Sequence, residues 1–274
     1  MSNVCHKSRY GSTGTVRSDV APLSHTRYDE SGDVGMRESR PADDGASEVR
    51  GCELYWASVS ALSATHDRLL SPIEHQRRRS LRQSEDRARF ALATILLRLA
   101  AGAWLGQPPE RVAIDRTCDR CLQPHGRPRL PGTGLHASIS HAGEYAAVAL
   151  SDVAPVGVDI ERIGRVAYAP LIDVVCTAAE RLHVMGDADF YTYWTRKESV
   201  LKATGIGLSL PMTKVVVTPP TDAARVVMYD GSVRFAAQMF ECSFDARYAC
   251  AVTVLTDSPI PFRGGGAEGF LLEG

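Results

Sequence analysis

The chain predicts an α+β fold of two related halves that meet across a cleft. Apolar residues along 53–256 alternate between the period of a strand, two, and that of a helix, about 3.6. A long helix followed by a hairpin occurs twice in the same order. The 274 residues, 44% of them hydrophobic, also suffice for a substantial core.

The elements follow in order. Residues 53–59 alternate apolar and polar and open the fold as a strand. Ser71-Pro72-Ile73-Glu74 has a capping Ser, Pro in the first turn and Glu three residues on, which starts a helix. A basic run follows, and 86–105 is a helix with Phe90, Ala93, Leu97 and Ala101 on one stripe. Residues 137–150 read as two strands around the turn His141-Ala142-Gly143-Glu144. A strand at 156–160, helices at 177–184 and 189–204, and a stop at Gly205 come next. Strands at 215–217, 226–229, 235–241 and 248–256 complete the core. The repeat sets the helix 87–105 and the hairpin strand Glu144-Tyr145-Ala146-Ala147-Val148 against the helix 191–204 and Arg247-Tyr248-Ala249-Cys250-Ala251-Val252. The expected division is a disordered leader at 1–50, an N-terminal half at 51–155, a C-terminal half at 156–258 and a flexible tail at 259–274.

The leader follows from composition. It has no Ile, Phe or Trp and a single leucine, Leu23, so it cannot bury enough apolar surface to offset its ordering entropy. A start codon placed too far upstream is the alternative. The 31 basic and 32 acidic side chains leave a net charge of -1, which excludes a chain that is basic throughout. No run of about 18 apolar residues suggests a membrane span, and residues 1–20 lack a signal-peptide core. Seven cysteines do not make a disulfide scaffold. The expectation is a soluble, cytoplasmic protein with no membrane or nucleic-acid partner.

Two segments carry chemistry. In the strand Gly157-Val158-Asp159-Ile160-Glu161, the two acids project to one side while Val158 and Ile160 face the core. Paired carboxylates repel unless a cation or proton lies between them. Solvated acids on an exposed strand face are the bland alternative. In Trp194-Thr195-Arg196-Lys197-Glu198, continuing to Lys202, helical spacing sets Trp194, Glu198, Leu201 and Lys202 on one face, with Lys197 beside it. A third carboxylate from Glu198 would complete an oxygen-rich site for a hard cation, with Lys202 set to neutralise a phosphate.

These paired motifs, in this order and under forty residues apart, resemble the signatures of 4'-phosphopantetheinyl transferases of the long, surfactin-synthetase-activating type. Gly126-Arg127-Pro128, Ile139-Ser140-His141, Thr177-Ala178-Ala179-Glu180 and Gly205-Ile206-Gly207-Leu208-Ser209-Leu210-Pro211 extend the resemblance over most of 53–256. It implies a pseudo-dimer of two α+β halves that acts as a monomer. It implies transfer of the 4'-phosphopantetheine arm of coenzyme A, the co-substrate, to a serine of an apo acyl or peptidyl carrier protein, releasing adenosine 3',5'-bisphosphate. The targets it implies are carriers of fatty-acid, polyketide, nonribosomal-peptide or siderophore systems. Asp159, Glu161 and Glu198 would hold Mg2+, with Mn2+ as an alternative ion. Glu198 would take the serine proton, and Lys202 would stabilise charge on the diphosphate. Arg77, Arg89, Arg127, Pro128, Ser140, His141, Asp159, Lys197 and Lys202 would contact coenzyme A. Arg127 stands where many relatives have lysine.

Two features lie outside that pattern. The run His75-Gln76-Arg77-Arg78-Arg79-Ser80-Leu81-Arg82 reads mainly as a solvated helix face, with Arg78 and Arg79 as candidates for steering an acidic carrier protein. Cys118, Cys121 and His125 offer three zinc ligands where a structural site takes four, with His136 a candidate fourth. An unmetallated loop is the preferred reading there, and zinc the alternative. A nucleic-acid-binding module using this loop and the arginine run is the competing function; the near-neutral charge and the strand-borne acids oppose it.

Overall fold

The structure, a computed structural model, describes residues 50–118, 121–164 and 166–272, so the expected leader lies outside the described residues. The described chain opens with strand β1 (Cys52–Ser58), helices α1 (Pro72–Ser80) and α2 (Ser84–Leu105), and the short strands β2 (Asp115–Thr117) and β3 (Pro124–Arg129). The hairpin of β4 (His136–Ala142) and β5 (Tyr145–Ser151) follows, then β6 (Val156–Arg162). Next come α3 (Ile172–Val175), α4 (Ala178–Arg181), α5 (Asp187–Thr204), β7 (Val215–Val217), β8 (Val226–Tyr229), β9 (Gln238–Glu241) and β10 (Tyr248–Val254). The described chain closes with β11 (Phe262–Gly266) and α6 (Glu268–Leu272).

This is a mixed α+β fold. One sheet runs β11-β1-β5-β4-β3-β2, a second β6-β10-β9, and β7 pairs with β8. The alternation along β5 explains its burial on both faces. Ala146, Val148 and Leu150 join Leu92, Ile95 and Leu96 of α2 in one core, while Ala147 and Ala149 pack with Val158, Ile160 and Val252 of the second sheet. Each buried Val, Leu or Ile among them contributes on the order of 1.5–3 kcal/mol by leaving water, and each Ala less. On the far side, Val200 and Leu201 of α5 belong to a third cluster with Phe190, Val215 and Val217. The α2 helix is long and apolar enough to cross a membrane by length and composition, yet 67% of that window is buried within the protein.

The caps read from sequence are present. Ser71 Oγ accepts from Glu74 N–H, and Ser71 N–H donates back to Glu74 Oε2 at 2.7 Å. Gly205 ends α5 with φ +72°, a left-handed conformation that favours glycine. The flexible tail expected from 259 is corrected. Residues 262–266 pair in parallel with β1, from Cys52 opposite Phe262 to Trp56 opposite Gly266, and Leu271 of α6 is buried in the first core. Arg-Gly-Gly-Gly carries little apolar signal, but it offers a backbone ladder and room for Trp56: a Cβ on Gly264 would lie 3.3 Å from the indole. β2 and β3 were likewise absent from the sequence pattern, because Pro124, Gly126 and Pro128 interrupt any apolar alternation.

Candidate active site

The acids are set by how β6 lies between β10 and α5. Antiparallel pairing opposes Asp159 to Ala251 and Glu161 to Ala249. Val158 and Ile160 enter the inter-sheet core, so Asp159 and Glu161 take the other face, toward α5. The approach of α5 is close because residue 157 has no side chain: a Cβ there would overlap Ser199 O and Ala203 N of the helix backbone. Glu198 and Lys202, one helical turn apart, are thereby brought over the strand.

A cleft of about 820 Å³ is lined by Asp159, Glu161, Glu198 and Lys202 together with Arg77, Arg89, Ser140 and His141. Lys202 Nζ donates to Asp159 Oδ1 at 2.6 Å, to Ser140 Oγ at 2.9 Å and to the Val158 carbonyl at 2.9 Å. Ser140 O–H donates in turn to the same Asp159 oxygen at 2.9 Å. Burial pushes the Asp159 carboxyl above the usual aspartate range, against the attraction of Lys202 and these hydrogen bonds. For Lys202, desolvation works against charge, but Asp159, Glu198 and Glu161 prevail and hold the ammonium above its ordinary value.

The donor set suits a hard cation. Among the described residues, Asp159 Oδ2 is a buried oxygen with no hydrogen-bond partner. Glu161 and Glu198 face the same cleft. Mg2+ is held through one or two carboxylates with water and substrate phosphate oxygens filling the rest, and these acids offer that donor type.

Residues from α1, α2 and β4 close the opposite wall. Arg89 bridges the hairpin turn and its own helix, donating to Gly143 O at 2.9 Å and pairing with Asp86 at 2.8 Å. Arg77 comes from α1, and Ser140 and His141 from β4. The joint between the sheets is made by β4 serines: Ser138 Oγ accepts from Val158 N–H at 3.0 Å, and Ser140, two residues on, reaches Asp159.

Three expected coenzyme A contacts are not in this cleft. Lys197 is fully buried on the other side of α5, where its ammonium donates to Glu180 Oε2 at 2.6 Å and Val175 O at 2.7 Å. One residue along a helix turns a side chain by about 100°, so the neighbour of Glu198 cannot share its direction. Desolvation lowers the Lys197 ammonium below its ordinary range, in spite of Glu180. Glu180 in turn accepts from the N–H groups of Thr177 and Val217, so Thr177-Ala178-Ala179-Glu180 is a structural hub. Arg127 donates to Ala203 O at 3.0 Å and Val156 O at 2.9 Å, tying β3 to the end of α5 and the start of β6, and Pro128 beside it is buried. Conversely, Arg116 was not singled out from sequence and lines the cleft from β2. Its guanidinium donates to Gly126 O at 3.0 Å, and burial pushes it down to about 10. A lone arginine on a three-residue strand gives no periodic signal.

Residues 155–253, which contain β6, α5 and most of β10, match the model of the 4'-phosphopantetheinyl transferase superfamily. This segment is similar to the 4'-phosphopantetheinyl transferase superfamily. The chain is similar to a 4'-phosphopantetheinyl transferase of Bacillus subtilis, 29% identical over 158 residues, which is 53% of this chain and 66% of the relative. It is similar to the 4'-phosphopantetheinyl transferase HetI of a Nostoc species, 28% identical over 52% of this chain and 62% of the relative. The 4'-phosphopantetheinyl transferase Sfp of Bacillus subtilis strain 168 is 28% identical over 52% of this chain and 63% of its own. The chain thus spans a little under two thirds of the length of each of these relatives. The matched segment supplies the four charged residues of the inner cluster, while Arg77, Arg89, Arg116, Ser140 and His141 come from the chain before it.

Proposed function

We propose that the protein transfers the 4'-phosphopantetheine arm of coenzyme A to a serine hydroxyl of apo acyl or peptidyl carrier proteins, acting as a cytoplasmic monomer. The observation that carries this reading is the convergence of Asp159, Glu161, Glu198 and Lys202 from β6 and α5 on one cleft faced by arginines. The relatives' names support the same reaction class. The repeated order of a long helix before a β-hairpin supports reading the molecule as a pseudo-dimer, with its site between the halves.

Asp159, Glu161 and Glu198 would hold Mg2+, or Mn2+, against the diphosphate. When bound, such an ion supplies Lewis-acid neutralisation of the charge on the phosphates. The chain's own residues do the rest. Arg77, Arg89 and Arg116 offer fixed positive charge to coenzyme A phosphates. His141 and Ser140 bound the nucleotide end of the cleft. Lys202 holds Asp159 through Oδ1 and offers its ammonium to the diphosphate. Glu198 takes the proton of the carrier serine, directly or through a water, as its oxygen bonds to the phosphorus that bears the pantetheine arm. The bond from that phosphorus to the leaving phosphate breaks, and adenosine 3',5'-bisphosphate departs with the electron pair.

The deciding experiment incubates the protein with coenzyme A, Mg2+ and apo carrier proteins from fatty-acid, polyketide and nonribosomal-peptide systems, read by intact mass. The expected result is a mass gain of one phosphopantetheine arm. No gain on any carrier overturns the reading. Asp159→Ala and Glu198→Ala are each expected to abolish transfer in folded protein, and retained activity in both overturns the assignment of the acids.

A further inference from the structure

We propose that Cys118, Cys121 and His125 bind one Zn2+ ion at the tip of the β2–β3 ribbon, separate from the carboxylate cluster. The sulfurs and an imidazole nitrogen all lie within 4.8 Å of one another, and Cys121 Sγ is 2.8 Å from His125 Nε2. A tetrahedral zinc with bonds of about 2.3 Å to sulfur and about 2.0–2.1 Å to nitrogen sets its ligand atoms about 3.6–3.8 Å apart. The observed spread brackets those separations, so side-chain torsion alone brings the three groups onto an ion.

The backbone is folded for the same purpose. Leu122 N–H donates to Cys118 O at 2.8 Å, and Cys118 N–H to Gln123 O at 2.9 Å, which closes the turn over the two thiols. Leu122 holds φ +58° with a side chain that is 74% exposed. A left-handed leucine costs on the order of 1–2 kcal/mol, and an exposed side chain recovers little of that by packing. The left-handed residue stands between Cys121 and His125 and turns the chain from the thiols to the imidazole. Neither cysteine is in a disulfide.

Two thiolates and an imidazole are a soft donor set that selects zinc over the hard cation suited to Asp159, Glu161 and Glu198. The thiolates balance the ion's charge. Cys121 is exposed, and water completes the fourth position; His136, the candidate fourth ligand, lies outside the group. The ion clips the ends of the ribbon whose Arg116 and His125 line the cleft.

The test uses the full-length protein, purified with reductant, stripped by a chelator and reloaded with Zn2+ against a competing chromogenic chelator. One equivalent per chain by elemental analysis is expected. Cys118→Ser, Cys121→Ser and His125→Ala each weaken binding at least about 100-fold, while Cys5→Ser leaves it unchanged. Co2+ loading of the unmutated chain gives a second reading that needs no variant to fold. A thiolate-to-cobalt charge-transfer band with tetrahedral intensity is expected, and a spectrum with no thiolate band overturns the proposal. So does zinc binding undiminished in the variants, or none in the parent. Because metal content is measured without carrier protein or coenzyme A, failure here is distinct from failure of the transferase reading.

Discussion

Lys202 illustrates how much of the site rests on single groups. An ammonium has three protons, and here all three are donated, to Asp159, Ser140 and Val158. A phosphate oxygen must therefore displace one acceptor, and the neutral Ser140 hydroxyl is the easiest to release. Ser140→Ala, which removes the hydroxyl that donates to Asp159 Oδ1, is expected to lower kcat/KM for coenzyme A about 10-fold, the scale of one charge-assisted hydrogen bond. Lys202→Met, which leaves the buried Asp159 without its counter-charge, is expected to lower it at least about 100-fold. Single-turnover kinetics by intact mass measures both, and equal losses in the two would contradict this ranking. The inner acids and Lys202 were legible in the sequence because strand period and helix period each repeat within one motif. Lys197 was misread because adjacency in sequence is not adjacency on a helix. Its true setting gives a different expectation: Lys197→Met strands Glu180 in the interior and costs about 3–5 kcal/mol by denaturant unfolding, with KM for coenzyme A unchanged in the folded fraction.

At the scale of elements, α5 and β6 pack as one closely fitted unit. Gly157 permits the close approach; Ser199 O–H, bonding Arg196 O and facing Thr253 of β10 at 2.7 Å, fixes the helix against the sheet. Gly157→Ala is expected to destabilise the fold by about 3 kcal/mol or more, since helix backbone rather than a flexible side chain occupies the space. Transfer activity should fall further than stability does, because any retreat of α5 parts Glu198 and Lys202 from Asp159. The long helices and the 137–150 hairpin could be read from sequence since their apolar patterns run for several periods. The β2–β3 ribbon could not, and neither could the direction of Arg127: its partners are carbonyls of distant segments, Ala203 and Val156, which no local pattern encodes.

Across the whole molecule, charge buried far from the cleft shapes the response to pH. Arg196 is fully buried, donating to Glu241 at 3.0 Å and to Thr218. Burial pushes the Glu241 carboxyl up to about 7 from 4.5, with Arg196 opposing the rise. The folded protein then keeps a proton that the unfolded chain has lost, so this group's contribution to stability falls as pH rises from about 4.5 to about 7. Glu241→Gln is expected to flatten that slope, measured by urea unfolding at about pH 5 and about pH 8. The closing strand acts at the same scale. Ending the chain at Asp257 removes β11 and α6, bares one edge of β1 and uncovers the core at Leu271; a lower Tm and concentration-dependent association are expected, checked by calorimetry and light scattering. That parallel pairing joins residues near 54 to residues near 264, so the edge of the first sheet is completed by almost the last part of the described chain to be synthesised. Folding is thus completed by a late, long-range closure, and until β11 pairs, that edge of β1 presents unpaired N–H and C=O groups.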